Sequence, residues 1–377
     1  MDFLVVGYVA ITVVAEGMNK GYKLGSQNLA LHELFSILLP YFAAKHMFRN
    51  PQFAVDVAKR VVVSLAIVAV LSVYEFRMGT DLFTRFFEGI FYGTYGALRG
   101  GFMRTAGPYG HSLTLGVMMA FGFRLARWLE WKGIWKDRGW FLQLSKIRFF
   151  ELWIAAGIIM SLSVGPLISA ACGAVIVSVC RAQNRKRALV LLVVFIGIAS
   201  QTLYPAFKAY ISVDPSVVAA QGDLIQGDAA YRNKLIPLYT PIVEERPTWG
   251  WGINGFPKLE GMWSIDNGYL LTALEWGIYA LAMQLALYLS PLILLGFFSI
   301  PLSRRDPRAL TAFTLMGIYT LNAVMDGTAS GGGVPWRLFF IFAAWSAVLL
   351  NSTAPEMAVE SVWSLPKTQI GFRRVMV

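Results

Sequence analysis

The sequence is poor in charged residues. Asp, Glu, Lys and Arg make up 15% of the chain, whereas a soluble domain carries about 25%. Hydrophobic residues make up 56%, and the mean hydropathy is +0.55. This composition excludes an ordinary soluble domain and predicts a polytopic membrane protein.

Cysteine and histidine are also scarce. Cys172 and Cys180 lie in one apolar run, and His32, His46 and His111 are far apart in the sequence. Two cysteines this close within an apolar run favour small buried side chains over a disulfide framework. The sequence has no cluster of ligand residues that would favour a metal ion, and we expect no cofactor.

The net charge of +11 raises the question of a nucleic-acid partner. The basic residues, however, lie in short clusters between apolar runs, and that distribution is typical of membrane topology rather than of a nucleic-acid surface. We therefore expect no nucleic acid. The N-terminus has no basic segment before its apolar run, so we expect no cleavable signal peptide.

Ten apolar runs are candidate membrane spans, since a helical span needs roughly 20 residues. They lie near residues 3–15, 29–48, 58–76, 109–129, 149–164, 165–180, 188–207, 268–298, 311–327 and 336–350. A turn at Ser163–Pro166 is expected to separate the fifth and sixth runs, because proline disfavours helix in the residue before it. The expected fold is an all-α polytopic membrane protein with about ten transmembrane helices.

Basic residues orient these runs. A cytoplasmic N-terminus puts 21 of the 33 basic residues on the cytoplasmic side, as the positive-inside rule favours. Residues 77–108, residues 208–267 and the Gly331–Gly333 turn then lie outside. The expected organisation is N-terminal helices with the first outer loop in 1–100, a membrane domain with outer loop 208–267 in 101–350, and a cytoplasmic tail in 351–377.

The outer loop 208–267 contains most of the unusual sequence. Its Gly- and Trp-rich segment Arg246–Phe256 can bend sharply and approach a ligand closely, because glycine tolerates strained backbone. Helical spacing from Tyr231 to Val243, interrupted by two prolines, predicts two short helices at the membrane interface. Asp228 is expected to cap the first of them.

Aromatic and basic side chains give this loop two expected roles. Trp249, Trp251 and Trp263 are typical of side chains that anchor a segment at the headgroup level. Arginines on the outer side are contrary to the positive-inside rule. Either they are solvated surface residues, or they bind an anion such as a lipid-linked diphosphate, which guanidinium groups contact bidentately.

Several short motifs occur together in a fixed order. They are Arg104-Thr-Ala-Gly-Pro-Tyr-Gly110, Tyr231-Arg232, Glu245-Arg-Pro247, Gly250-Trp-Gly252, Asp266-Asn-Gly-Tyr-Leu270 and Glu275-Trp-Gly277. In order, spacing and outer-side placement they resemble the O-antigen ligase and polysaccharide polymerase superfamily. The resemblance covers roughly residues 100–350.

The resemblance implies a membrane glycosyltransferase with a large periplasmic loop containing short interfacial helices. Its donor would be an undecaprenyl-diphosphate-linked glycan, and it would need no metal. It would act in membrane lipid at the periplasmic face of the bacterial inner membrane, alongside flippase and chain-length regulator proteins.

Three functions stay open at this point. A polymerase passes the glycan to another lipid-linked repeat unit, as in exopolysaccharide biosynthesis, and the Asp-Asn pair favours this branch. A ligase passes the glycan to lipid A-core or to a protein. A transporter or flippase forms no bond, and its charged residues would lie near the bilayer midplane in many spans.

The resemblance also implies roles for particular residues. Asp266 and Arg232 are the expected catalytic residues, and the expected substrate-binding residues are Arg104, Arg246, Asn267, Trp251 and Glu275. The family has histidine where this chain has Asp266. The carboxylate would then accept the proton of the acceptor hydroxyl or orient that hydroxyl. Alternatively, Asp266 only caps the following helix.

Overall fold

The computed structural model describes residues 1–87, 98–137, 144–220, 224–262, 264–329 and 333–352. In these residues the chain is almost entirely helical, which confirms the all-α prediction. The α-helices are α1 Asp2–Lys20, α2 Gln27–Glu33, α3 Leu39–Met47, α4 Pro51–Met78, α5 Leu82–Phe86, α6 Ser112–Trp131, α7 Lys146–Met160, α8 Val164–Arg181, α9 Arg185–Ile211, α10 Pro215–Ala220, α11 Leu224–Glu245, α12 Gly268–Ser299, α13 Pro307–Thr328 and α14 Val334–Asn351.

Shorter elements complete the described chain. Two π-helical turns, Tyr22–Ser26 and Leu34–Leu38, flank α2 and make the chain nearly continuously helical up to α3. The strands β1 Leu98–Arg99 and β2 Phe102–Met103 pair antiparallel, and a 3-10 turn, Gly107–Tyr109, precedes α6. The predicted Gly331–Gly333 turn lies mostly outside the described residues, as do Trp263 and nearly all of the predicted tail 351–377.

Five helices in the described residues are long and apolar enough to cross a membrane, and they identify a membrane protein. They are α1, α8, α9, α12 and α14. Each of the ten predicted runs falls largely in helical residues, but the number of spans stays a prediction. Helix α9 is exposed along its length, and its apolar side chains suit contact with lipid.

Contacts between helices define two ends of the bundle. At one end, Lys20 donates to the carbonyl of Ile253 over 2.6 Å, and Arg104 donates to Ser163 over 2.7 Å. We call this end, with residues 98–111, 161–163 and 246–267, the loop end. The opposite end, which we call the basic end, includes residues 45–50, 124–151, 181–187 and 299–308. There Arg185 donates to the carbonyl of Ser299 over 2.8 Å.

The core fills the space between α6, α13 and α14. Trp128, Phe313, Phe339 and Phe340 are fully buried there. Trp128 also donates its indole N–H to Thr311 over 3.1 Å, so that its polar edge is satisfied inside the bundle. This core fixes α6, whose loop-end terminus contributes to the candidate site.

Helix α12 is not one straight span. Gly277 has φ 80° and ψ −178°, which breaks the helix after nine residues. The rings of Tyr269 and Tyr288 lie 6.3 Å apart, although nineteen positions of straight helix would separate them by about 28 Å. The first segment of α12 therefore folds back against the second. The predicted run 268–298 is helical, but it consists of a re-entrant segment and a longer one.

The outer loop 208–267 also differs from its prediction. One helix, α11, continues through Pro237 and Pro241, where two short helices were expected. Because α11 begins at Leu224, Asp228 lies inside its first turns and does not cap it. The predicted break between the fifth and sixth runs is confirmed, but it lies at residues 161–163, since α7 ends at Met160 and α8 begins at Val164. Val164, Gly165 and Pro166 were expected in the turn but form the first turn of α8, where a proline is tolerated.

Candidate functional site

The Gly- and Trp-rich segment docks into the break of α12. The amide N–H groups of Trp251 and Gly252 donate to the carbonyls of Leu274 and Glu275, each over 2.8 Å. In return, the N–H of Ile278 donates to the carbonyl of Pro247 over 2.8 Å. These bonds satisfy backbone groups that the helix break leaves without partners, which is what allows irregular backbone among membrane helices.

The close approach explains two glycines. A Cβ atom at Gly277 would lie 2.2 Å from the carbonyl oxygen of Thr248, and one at Gly250 would lie 2.6 Å from that of Leu274. Both glycines also have positive φ, 80° and 61° respectively. Only glycine fits this junction without displacing backbone.

Three of the predicted substrate-binding residues hold this junction together. Glu275 accepts the N–H of Asn254 over 3.1 Å, and Arg246 stacks over the ring of Trp251 at 4.2 Å. The indole of Trp251 donates to the carbonyl of Ile242 over 2.9 Å. These contacts give Arg246, Trp251 and Glu275 a structural role in the loop.

The end of α1 completes the junction. Glu16 accepts the N–H of Ile253 over 2.8 Å and pairs with Lys20 at 2.8 Å. Asn19 donates to the carbonyl of Trp249 over 2.9 Å. Sequence reasoning missed these α1 residues, because contacts across more than 200 positions leave no local signal.

Arg232 and Asp266 lie together, as their assignment to one site requires. The guanidinium Nη2 of Arg232 is 3.7 Å from Oδ2 of Asp266. Ser264 donates its hydroxyl to Oδ1 of Asp266 over 2.7 Å. Tyr231 fixes this loop, since its hydroxyl both accepts from the N–H of Ser264 and donates to its carbonyl. The Asp266 carboxylate is therefore held in a defined place and stays 35% exposed.

The cap of α12 is Asn267. Its side-chain oxygen accepts the N–H of Leu270 over 3.0 Å. Asp266, immediately before it, does not cap the helix, so its carboxylate does not accept hydrogen bonds from the N–H groups of the first turn. Asn267, which was predicted to bind substrate, has a structural role in this geometry.

Arg104 approaches the same place from the other side. It donates to Oγ of Ser163 over 2.7 Å. Burial, with the charges of Arg99 and Arg232 nearby, lowers the pKa of the Arg104 guanidinium, and Asp228 opposes this shift. Arg99 is itself paired with Asp228 and donates to the carbonyl of Leu162 over 2.9 Å. The structure thus brings Arg104 and Arg232 into one electrostatic site.

His111 is a member of this site that sequence reasoning missed. Burial and the charge of Arg104 lower its pKa, and Asp266 opposes the shift. Its Nδ1 accepts the N–H of Leu113 over 3.2 Å, which caps α6. Because Nδ1 accepts, the neutral ring has its proton on Nε2 and can donate it to an anion. The sequence feature that could have indicated His111 is its position, seven residues after Arg104.

We call Arg104, His111, Arg232 and Asp266 the arginine site. Both arginines have a buried Nε that lacks a hydrogen-bond partner among the described residues. A buried donor without an acceptor costs free energy, so an anion with several oxygens would be stabilised here. The arrangement offers two guanidinium groups and one imidazole N–H to an anion, beside one carboxylate.

An apolar groove of about 280 Å³ lies next to this site. Ile236 and Val243 of α11 line it, together with Asn267, Leu270 and Leu281 of α12. The groove can accommodate part of a hydrocarbon chain whose polar end reaches the arginine site.

In the described residues, no group of histidine, cysteine and carboxylate side chains has the arrangement to hold a metal ion. Comparison with known proteins gives no further assignment, because neither a family model nor a curated protein matches the sequence.

Proposed function

We propose that the protein is a metal-independent membrane glycosyltransferase that polymerises a polysaccharide. It transfers a glycan from an undecaprenyl-diphosphate-linked donor to a lipid-linked repeat unit, and the loop end faces the periplasm. The observation that carries the proposal is the meeting of Arg104 and Arg232 beside Asp266, each with a buried Nε that has no partner in the described part of the chain.

The arginine site has the charge that a diphosphate leaving group needs. Preorganised cations in a water-poor site stabilise the negative charge that develops as the diphosphate departs. Arg104 and Arg232 contact the phosphate oxygens, and the Nε2–H of His111 supplies a third donor. The apolar groove beside Asn267 accommodates the first isoprene units of the donor.

Asp266 acts on the acceptor. The acceptor hydroxyl oxygen bonds to the anomeric carbon of the donor glycan. The bond from that carbon to the diphosphate oxygen breaks, and undecaprenyl diphosphate leaves with the bonding electrons. The hydroxyl proton passes to the Asp266 carboxylate, which Ser264 holds in position.

The acceptor class follows from the motif resemblance alone. A lipid-linked repeat unit defines a polymerase, whereas lipid A-core or a protein side chain defines a ligase. The basic residues at the end opposite the arginine site support the proposed orientation in a bacterial inner membrane.

The test is a reconstituted reaction with purified protein and lipid-linked repeat units. Polymerisation gives a ladder of products, and Arg232→Gln removes it, with an expected loss of about 100-fold or more in rate. Lys234→Gln is the matched control, since Lys234 lies on the same helix, is 45% exposed and pairs with Asp214. A ladder of wild-type intensity from Arg232→Gln would refute the assignment. A single transfer to lipid A-core identifies a ligase instead.

One observation favours transport as a second candidate function. Asp326 is only 4% exposed, and it accepts hydrogen bonds from Gln284 and Tyr288 inside the bundle. Ionisable residues inside membrane helices often lie on substrate or ion pathways. If the protein moved lipid-linked glycan across a vesicle membrane without forming a glycosidic bond, it would be a flippase.

A further inference from the structure

The basic end contains a second group of arginines, far along the helices from the arginine site. Arg124, Arg127 and Trp131 follow one another on a single face of α6, and Arg181 ends α8 beside them. The guanidinium carbon of Arg181 lies 3.9 Å from the ring centre of Trp131, and that of Arg127 lies 5.6 Å from it. We call these four residues the Trp131 cluster.

Among the described residues, Arg127 is the one arginine of the Trp131 cluster that forms ion pairs. Arg127 pairs with Glu130 at 2.6 Å and with Glu151 at 3.2 Å. Arg181 contacts the Trp131 ring and forms no ion pair in the part of the chain that the structure describes, although Glu130 lies near enough to act on its charge. Stacking on an aromatic face leaves the N–H groups at the guanidinium edge available to an acceptor.

Arg124 is the less usual member, because it is only 6% exposed. Its guanidinium carbon lies 4.8 Å from the ring centre of Phe123, and its aliphatic chain lies against Gly317 of α13. Among the described residues it makes no hydrogen bond and no ion pair. Because the side chain is mostly buried, its guanidinium loses hydration, and a bound anion would offset that loss.

We propose that the Trp131 cluster binds the phosphate headgroup of an anionic phospholipid such as phosphatidylglycerol. The cluster lies at the ends of α6 and α8, where a membrane helix meets the headgroup layer, and Trp131 is the aromatic residue typical of that level. Guanidinium groups bind phosphate bidentately. Basic pockets between membrane helices are suited to anionic headgroups.

The neighbouring surface suits the acyl chains of the same lipid. Helix α8 is apolar enough to cross a membrane, and Val175, six residues before Arg181 and about a third of a turn around the helix from it, is 44% exposed. A lipid whose phosphate lies at Arg124 and Arg181 can extend its chains along this adjacent exposed side of α8. A free phosphate ion would gain only the polar contacts.

The experiment uses the full chain, delipidated in detergent. Binding of short-chain phosphatidylglycerol is measured by native mass spectrometry, with phosphatidylcholine and inorganic phosphate as comparison ligands. Arg124→Gln and Arg181→Gln are each expected to weaken phosphatidylglycerol binding about tenfold. Arg148→Gln is the matched control, because Arg148 is at the same end, is 62% exposed and already pairs with Glu130. It should bind like the wild type.

Arg181 is only partly buried, so Arg181→Gln keeps the test decisive if Arg124→Gln does not fold. Unchanged affinity in Arg181→Gln, with its thermal unfolding unchanged, overturns the proposal. Equal binding of phosphatidylcholine overturns it as well. Displacement of the lipid by inorganic phosphate at similar concentration would assign the cluster to a free anion. None of these outcomes depends on glycan transfer.

Discussion

At the scale of single residues, His111 gives the arginine site a pH dependence. Burial and Arg104 lower its pKa, so the imidazole is neutral near pH 7 and becomes a cation only below its usual titration range of about pH 6.5. Protonation of His111 adds a positive charge next to Arg104, and the negative charge of Asp266 favours this protonation. Binding of a diphosphate should therefore tighten as the pH falls and weaken as it rises through the His111 pKa.

The expected result is a KM for the lipid-linked donor that changes little above about pH 6.5 and falls several-fold as the pH is lowered further. Initial rates over a series of donor concentrations measure it at each pH. His111→Asn is the informative variant, since asparagine can still cap α6 but does not titrate. It should show a flat profile, and an equal slope in both proteins would exclude His111 as the titrating group.

The second prediction for a single residue concerns the carboxylate of Asp266. Asp266→Asn keeps an oxygen to accept from Ser264 but removes the proton acceptor, so kcat should fall about 100-fold or more. The KM for the donor should change little, because the proposed function assigns donor binding to the arginines. Single-turnover and steady-state rates separate the two quantities. Asp214→Asn is the control, since Asp214 is 52% exposed and pairs with Lys234. A change in kcat of less than about threefold would show that Asp266 is not the proton acceptor.

At the scale of elements, the break of α12 depends on Gly277. Gly277→Ala places a side chain at φ 80° and 2.2 Å from the Thr248 oxygen. Backbone strain alone costs about 1–3 kcal/mol, and the overlap adds to it. We expect a lower Tm in detergent and loss of the ladder of products.

The matched control is Gly197→Ala. Gly197 lies in the middle of α9, and a Cβ there meets no atom within 4 Å. In a helix interior this substitution should stabilise by about 0.5–1 kcal/mol. Opposite shifts of Tm in the two variants would tie the effect to the junction, whereas equal shifts would contradict it.

The sequence could not predict this break, and the reason is physical. Hydropathy stays high from Tyr269 to Ile300, and a single glycine inside an apolar run is compatible with an unbroken helix. The break is stable because Pro247, Trp251 and Gly252 satisfy its backbone from another segment. Similarly, the choice of Asn267 over Asp266 as the cap depends on the direction in which Arg232 and Ser264 hold the aspartate.

At the scale of the whole molecule, composition was enough to predict an all-helical membrane protein, and apolar runs were enough to locate most helices. The motif residues were predicted as one site, but the structure divides them. Arg104, Arg232 and Asp266 lie in the arginine site, while Arg246, Trp251 and Glu275 support the α12 break. The spacing of motifs along the sequence cannot predict this division. The division depends on contacts between distant segments, such as the hydrogen bond from the N–H of Ile253 to Glu16.

The orientation of the two ends is the remaining whole-molecule prediction. The excess of basic residues at the end opposite the arginine site predicts that the loop end is outside. In a background without Cys172 and Cys180, Lys258→Cys at the loop end should react with a membrane-impermeant maleimide in intact spheroplasts. Arg305→Cys, exposed at the basic end, should react only after the membrane is opened. The reverse pattern would place the arginine site in the cytoplasm, where a glycan donor that is used at the outer face could not reach it.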